Sequence, residues 1–132
     1  MAALLNQRVV LDTNILVSAM LSRQGNSARI VDLALDKRLT FVYSTGIISE
    51  YEKVLFRKKF NFDSTLVRII IRTLQHNGFC LEPKMSGIPF VDETDRIFYD
   101  TAVSGKAVLI TGNGKHFPRK SFIVAPADFV EN

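Results

Sequence analysis

Five short apolar runs, separated mostly by stretches of helical period, constrain this chain more than any other feature of its sequence. The runs are RVVL (8–11), LTFVYS (39–44), FCLEP (79–83), AVLIT (107–111) and SFIVAP (121–126). Their length and their Val, Ile and aromatic content are those of strands. Between them, apolar residues recur at helical spacing. The spacing predicts a helix from Asn14 to Leu21, broken by SRQGN, and a second from a Ser27 cap to Leu35, with Lys37 and Arg38 at the end that favours cations. Ser44 or Thr45 is expected to cap a helix carrying Ile47, Ile48, Tyr51, Val54 and Leu55, which runs into Arg57-Lys58-Lys59. Asp63 or Ser64 starts the next, with Leu66, Ile69, Ile70, Thr73 and Leu74 on its buried side and Asn77-Gly78 as its stop. VDETDRIFYDTAVSG reads as a helix to about Ser104 with Thr94 as its cap, and PADFVEN as a short final helix with Pro126 in its first turn. Strands that alternate with helices form a parallel sheet covered on both faces, and such sheets bind ligands outside the carboxyl ends of their strands.

The chain has 132 residues, enough for one domain with a substantial core, and neither a repeat nor a linker divides it, so residues 1–132 are expected to form a single domain. Lys and Arg outnumber Asp and Glu by 17 to 13, and the resulting net charge of +4 suits a polyanionic partner as well as a plain solvated surface. Cys80 is the only cysteine, so no internal disulfide forms. Between Phe79 and Leu81 it is expected to be a small core residue. The opening MAALLNQR lacks the basic and long apolar regions of a signal peptide, and no run approaches the ~20 apolar residues of a membrane span. These features predict a cytoplasmic protein with no membrane partner.

The expected strand ends carry polar residues: Asp12, Ser44 and Thr111-Gly112-Asn113. A carboxylate at the end of a buried strand is costly unless it is paired, caps a helix or binds a cation. From sequence alone Asp12 fits either the cap of the following helix or a ligand site. Glu50 lies among the apolar Ile47, Ile48, Tyr51 and Val54 and therefore borders the buried face, whereas Glu52 and Lys53 look like an exposed pair. Asp92 and Asp95, three apart, share one side of a helix start, where the dipole favours them whatever their function. Three distant segments thus deliver carboxylates to one end of one sheet, where they repel one another unless cations neutralise them. Hard oxygen ligands without a His or Cys cluster point to Mg²⁺ or Mn²⁺, ions suited to in-line attack of water on a phosphodiester. TGNGKHF lacks the full pattern of a phosphate-binding loop. His116 fits a general base or a structural role. Lys115, His116, Arg119 and Lys120 form one basic cluster and Arg57 to Lys59 another, each suited to a phosphate backbone or to solvent.

With these residues assembled, the chain resembles the PIN domain family, close to its VapC-like toxin group. VVLDTNILVSAML resembles the family's opening strand with Asp-Thr-Asn, and STGIISEYEKVLFRKKF the segment bearing its invariant acid. VDETDRIFYDTAVSGKAVLITGN resembles the Asp-x-x-Asp-x-x-Phe helix and the strand that follows, and IVAPADFV the closing strand with Pro-x-x-Phe. The resemblance implies a three-layer α/β/α sandwich around a central parallel sheet and a metal-dependent ribonuclease using Mg²⁺ or Mn²⁺. It implies an acidic core of Asp12, Glu50 and Asp95, with Asp92 as an added acid. Asp12 and Asp95 would bind the metal, and Glu50 would ligate or orient the attacking water. Thr13 and Asn14 match residues that brace Asp12, and Ser44 and Thr111 match polar residues around the pocket. The chain departs from the family where Asn113 and His116 replace a further acid. Asn113 can still ligate through its carbonyl oxygen but adds no charge, so a second metal site would be weaker.

The expected substrate is single-stranded or loop RNA, with Lys58, Lys59, Lys115 and His116 as candidate backbone contacts. A toxin of this group implies a cognate antitoxin, and the family often forms homodimers. The alternative is a PIN-fold RNA- or protein-binding module with weak or no turnover, which the missing acid allows. A phosphoaspartyl receiver or phosphatase would need a second acid beside Asp12, which Thr13-Asn14 does not supply.

Overall fold

The computed structural model describes residues 6–131. Most of the opening stretch expected not to be a signal peptide lies outside the described residues. The strands are β1 (Arg8–Leu11), β2 (Thr40–Tyr43), β3 (Phe79–Cys80), β4 (Val108–Ile110) and β5 (Ile123–Val124). They form one parallel sheet in the order β3-β2-β1-β4-β5. The helices are α1 (Thr13–Leu21), α2 (Asn26–Leu35), α3 (Thr45–Leu55), α4 (Ser64–Asn77), α5 (Arg96–Gly105) and α6 (Pro126–Glu131). Sheet and helices make the expected α/β architecture, with helices flanking a central parallel sheet.

Val9, Val10 and Leu11 are all fully buried, as are Phe41 and Val42. Consecutive residues of a strand point to opposite faces, so unbroken burial shows that both faces are covered. The outer strands β3 and β5 are short and partly or wholly exposed. Cys80 is accordingly exposed rather than a core residue, because β3 is a two-residue edge strand.

The chain runs from β1 outward through β2 and β3, then crosses back to lay β4 on the other side of β1. The order of strands therefore reverses between β1 and β4, where Val9 pairs with Val108 and Leu11 with Ile110. A crevice opens at the carboxyl ends of the strands flanking such a point. α5 packs across β1, β2 and β4 and approaches closely at its end. A Cβ on Gly105 would lie 2.8 Å from Val42 Cγ1 and 3.0 Å from Leu81 Cδ2.

Local chemistry adjusts several expected boundaries. α2 starts at Asn26 after an extended Gly25, which places Ser27 inside the first turn instead of at the cap. Ser44 caps α3 and Asp63 caps α4. α4 buries Val67, Ile70, Ile71 and Leu74, leaving Leu66 and Ile69 exposed. Its apolar residues extend beyond one stripe, so helical period alone permits more than one inward face. The expected helix start at Thr94 is a 3₁₀ turn, Glu93–Asp95, capped by Asp92, and α5 follows it. Among the described residues, no helix is long and apolar enough to cross a membrane.

Candidate active site

Asp12 is the residue that follows β1, and its backbone N–H still donates to Ile110 of β4 at 3.0 Å. The carboxyl group is buried at the point where strand order reverses. Its Oδ1 accepts the Thr13 backbone N–H at 2.8 Å. Its Oδ2 accepts the Thr111 hydroxyl at 2.7 Å and the Asn14 amide at 3.3 Å. The two roles open to Asp12 from sequence are therefore compatible: it caps α1 and also faces a cavity. Of the ~4 acceptor positions of a carboxylate, three are filled by these donors. Burial pushes the Asp12 carboxyl above its ordinary value, while the bonds from Thr111 and Thr13 pull it back.

The supports of Asp12 are themselves tied down. Thr111 Oγ1 accepts the Asn113 N–H at 2.9 Å, and Asn14 Oδ1 accepts the Gly112 N–H at 3.1 Å. Beneath them, the buried Tyr51 hydroxyl donates to the Leu11 carbonyl at 2.6 Å and so ties α3 to the end of β1. Burial, with the Asp12 charge second, holds the Tyr51 phenol well above its ordinary value. Ser44 is buried away from the cavity, where its Oγ accepts the Thr101 hydroxyl at 3.1 Å and the Ile47 N–H at 3.4 Å.

A cavity of about 350 Å³ opens above Asp12. Thr13, Asn14 and Glu50 line it, and the 3₁₀ turn brings Asp92 and Asp95 to its wall. Asn113 and His116 complete that side. The carboxyl of Asp95 receives no hydrogen bond among the described residues, and His116 Nδ1 stands 3.6 Å from its Oδ2. Burial first, then the charges of Asp12 and Asp92, raise the Asp95 carboxyl to about 6. Asp92 behaves oppositely: its Oδ1 accepts both the hydroxyl (2.8 Å) and the N–H (3.0 Å) of Thr94, which keep its carboxyl low.

The structure thus brings Asp12, Glu50, Asp92, Asp95 and Asn113 around one cavity from segments far apart in sequence. It does not press them into a ready-made cage. Among the described residues, no three His, Cys, Asp or Glu side chains stand close enough to hold a metal ion unaided. Lys58, Lys59 and Lys115 do not line the cavity, whereas Lys53 and Arg57 do. Sequence reading passed over Lys53 as the exposed partner of Glu52, and held Arg57 only as part of the Arg57 to Lys59 basic cluster. Their spacing of three and seven from Glu50 is the signal that marks them.

A family model for the PIN domain matches residues 8–115. An uncharacterized protein of Methanocaldococcus jannaschii, MJ1680, is 28% identical over 109 residues, spanning 80% of this chain and 70% of that one. Among solved structures, VapBC2 from Rickettsia felis, bound to a DNA fragment from its promoter, superposes with a TM-score of 0.58 at 18% identity. That match covers 90% of this chain and 97% of the other. With a buried Asp after the first strand, carboxylates gathered at the strand ends and a family match over most of its length, the chain belongs to the PIN domain family.

Proposed function

We propose that the chain is a divalent-metal-dependent endoribonuclease, the toxin of a toxin–antitoxin pair, and that the cavity above Asp12 is its active site. The observation that carries this reading is the meeting of Asp12 and Asp95 in one solvent-connected cavity. The charge of Asp12 helps raise the Asp95 carboxyl, as expected of acids waiting for a cation. The donor set fits Mg²⁺ or Mn²⁺. Such ions keep several waters and bind through one or two carboxylates together with substrate phosphate, so a closed protein cage is unnecessary. Asp12 and Asp95 would hold the ion, with Asp92 and the Asn113 carbonyl oxygen as outer partners. When bound, the ion would supply positive charge at the substrate phosphate and lower the pKa of water.

The chain's own groups do the rest. Thr111, Thr13 and Asn14 keep the Asp12 carboxylate oriented. Glu50 orients the attacking water and accepts its proton while the water oxygen bonds to phosphorus, the ester P–O bond breaks and the departing ribose oxygen takes a proton from solvent. The likeness to the VapBC2 complex supports a cognate antitoxin as partner, and a homodimer is proposed with it. The alternative of a binding module without turnover draws support from the loose spacing of the acids and from Asn113. Incubation of generic single-stranded RNA with Mg²⁺ separates the two. Cleavage by wild type, abolished by EDTA and by Asp12→Asn, is the expected result. Binding without cleavage under all metal conditions would overturn the nuclease reading.

A further inference from the structure

We propose that Lys53 and Arg57 form a phosphate-binding wall that holds the RNA backbone beside the acidic site, a proposal that rests on the nuclease reading above. Glu50 and Lys53 lie one turn apart on the same side of α3. Arg57 follows just beyond the helix, where its N–H donates to the Val54 carbonyl at 3.1 Å and its carbonyl accepts the Phe60 N–H at 3.1 Å. All three side chains line the cavity that holds Asp12 and Asp95. One wall is therefore acidic and the adjoining wall cationic.

Several other cations near these elements are already engaged. Arg96 grips Glu93 at 2.7 and 3.1 Å and covers the Phe90 ring. Lys59 lies over Phe60, and Arg68 over Phe56. By contrast, the Lys53 and Arg57 side chains make no hydrogen bond or ion pair among the described residues. Lys53 only depresses the Asp92 carboxyl slightly through space. Lys53 occupies the last turn of α3, where the helix dipole alone favours a cation. Arg57, just past the last turn, lies beside the same carbonyl ends, and what sets both cations apart is that they line the cavity without a protein partner among the described residues. Free cationic donors beside an acidic centre suit an extended polyanion. One phosphate would lie at the acids with the divalent ion they are proposed to hold, and its neighbours would meet Lys53 and Arg57. Such contacts position the strand without reading its bases.

The test uses full-length protein and a short fluorescein-labelled oligouridylate. Binding is measured in EDTA between about 50 and 200 mM NaCl, and cleavage kinetics in Mg²⁺. Lys53→Gln and Arg57→Gln should each lower the slope of log affinity against log salt by about 0.7, and the double variant by about twice that. KM should rise with kcat little changed. Arg57→Lys should restore the slope, because counterion release depends on charge. The pair Lys37→Gln with Lys106→Gln, exposed cations ahead of the amino ends of β2 and β4 and so at the opposite end of the sheet, should leave it unaltered. If wild type binds and cuts but slope and KM are unchanged in the Lys53 and Arg57 variants, this inference is overturned and the nuclease reading stands. If wild type neither binds nor cuts, both are overturned together. The two side chains are exposed, so their replacement leaves the fold intact.

Discussion

Replacing Asp95 with Asn probes the electrostatics of the cavity without any metal. In the folded chain the Asp95 carboxyl sits at about 6 instead of 3.8. A tenfold step in acidity corresponds to about 1.4 kcal/mol, so the full displacement represents roughly 3 kcal/mol. Because water reaches the cavity, screening reduces the contribution to about 1–2 kcal/mol. The folded value is raised, so the folded state holds the proton more tightly than the unfolded one. Stability from this group is complete below about pH 4 and is lost as pH rises through about 6. In EDTA, wild type and Asp95→Asn should therefore unfold alike near pH 4. At pH 7.5 the variant should be more stable by about 1–2 kcal/mol, a rise of roughly 3–10 °C in Tm. Urea titrations at pH steps across this window read the difference directly, and because the Asp12 charge helps raise Asp95, that difference belongs to the pair. Mn²⁺ at a hundredfold excess over its dissociation constant should then stabilise wild type by roughly 2.7 kcal/mol, and the variant far less. Parallel pH curves for the two proteins, or equal gains from Mn²⁺, would refute the reasoning.

Thr111→Val keeps the shape of a fully buried side chain but removes the hydroxyl that serves both Asp12 Oδ2 and the Asn113 N–H. It should destabilise the fold by about 1–3 kcal/mol in urea titrations and shift the acidic limb of the activity profile to higher pH, since Asp12 loses a bond that lowers its carboxyl. Gly105→Ala should cost about 1–3 kcal/mol by driving a methyl group against Val42 and Leu81. A stabilised Gly105→Ala protein would mean that α5 is not packed closely on the sheet.

The sheet was legible because Val9-Val10-Leu11 is unbroken apolar sequence of strand length, a pattern that only two covered faces produce. The strand ends were legible for the same reason, since Asp12 and Thr111 interrupt such runs. The inward face of α4 was not, because its sequence STLVRIII offers apolar residues in more than one direction. Nor was the cap before α5: both Asp92 and Thr94 suit the position, and only their mutual bonds decide that Asp92 accepts while Thr94 donates. At the cavity, sequence order delivered carboxylates to one end of the sheet. Their separation depends on how the 3₁₀ turn seats against α3, which no local pattern encodes. Lys53 escaped notice because an exposed residue on a solvent-facing turn looks the same whether or not a cavity opens beside it.

The bond from Thr111 to Asp12 spans 99 residues of chain, and the Thr111 N–H is itself held by the carbonyl of Val124. The carboxylate made first thus waits for almost the last segment before it acquires its full set of donors. At ribosomal rates of about 5–20 residues per second, that interval is roughly 5–20 s. A half-synthesised copy has β1 and β2 but neither β4, on the other side of β1, nor the turn bearing Asp95, so it carries no assembled centre. On the proposed nuclease reading, a chain still on the ribosome therefore has no assembled centre with which to cut the message it is translated from.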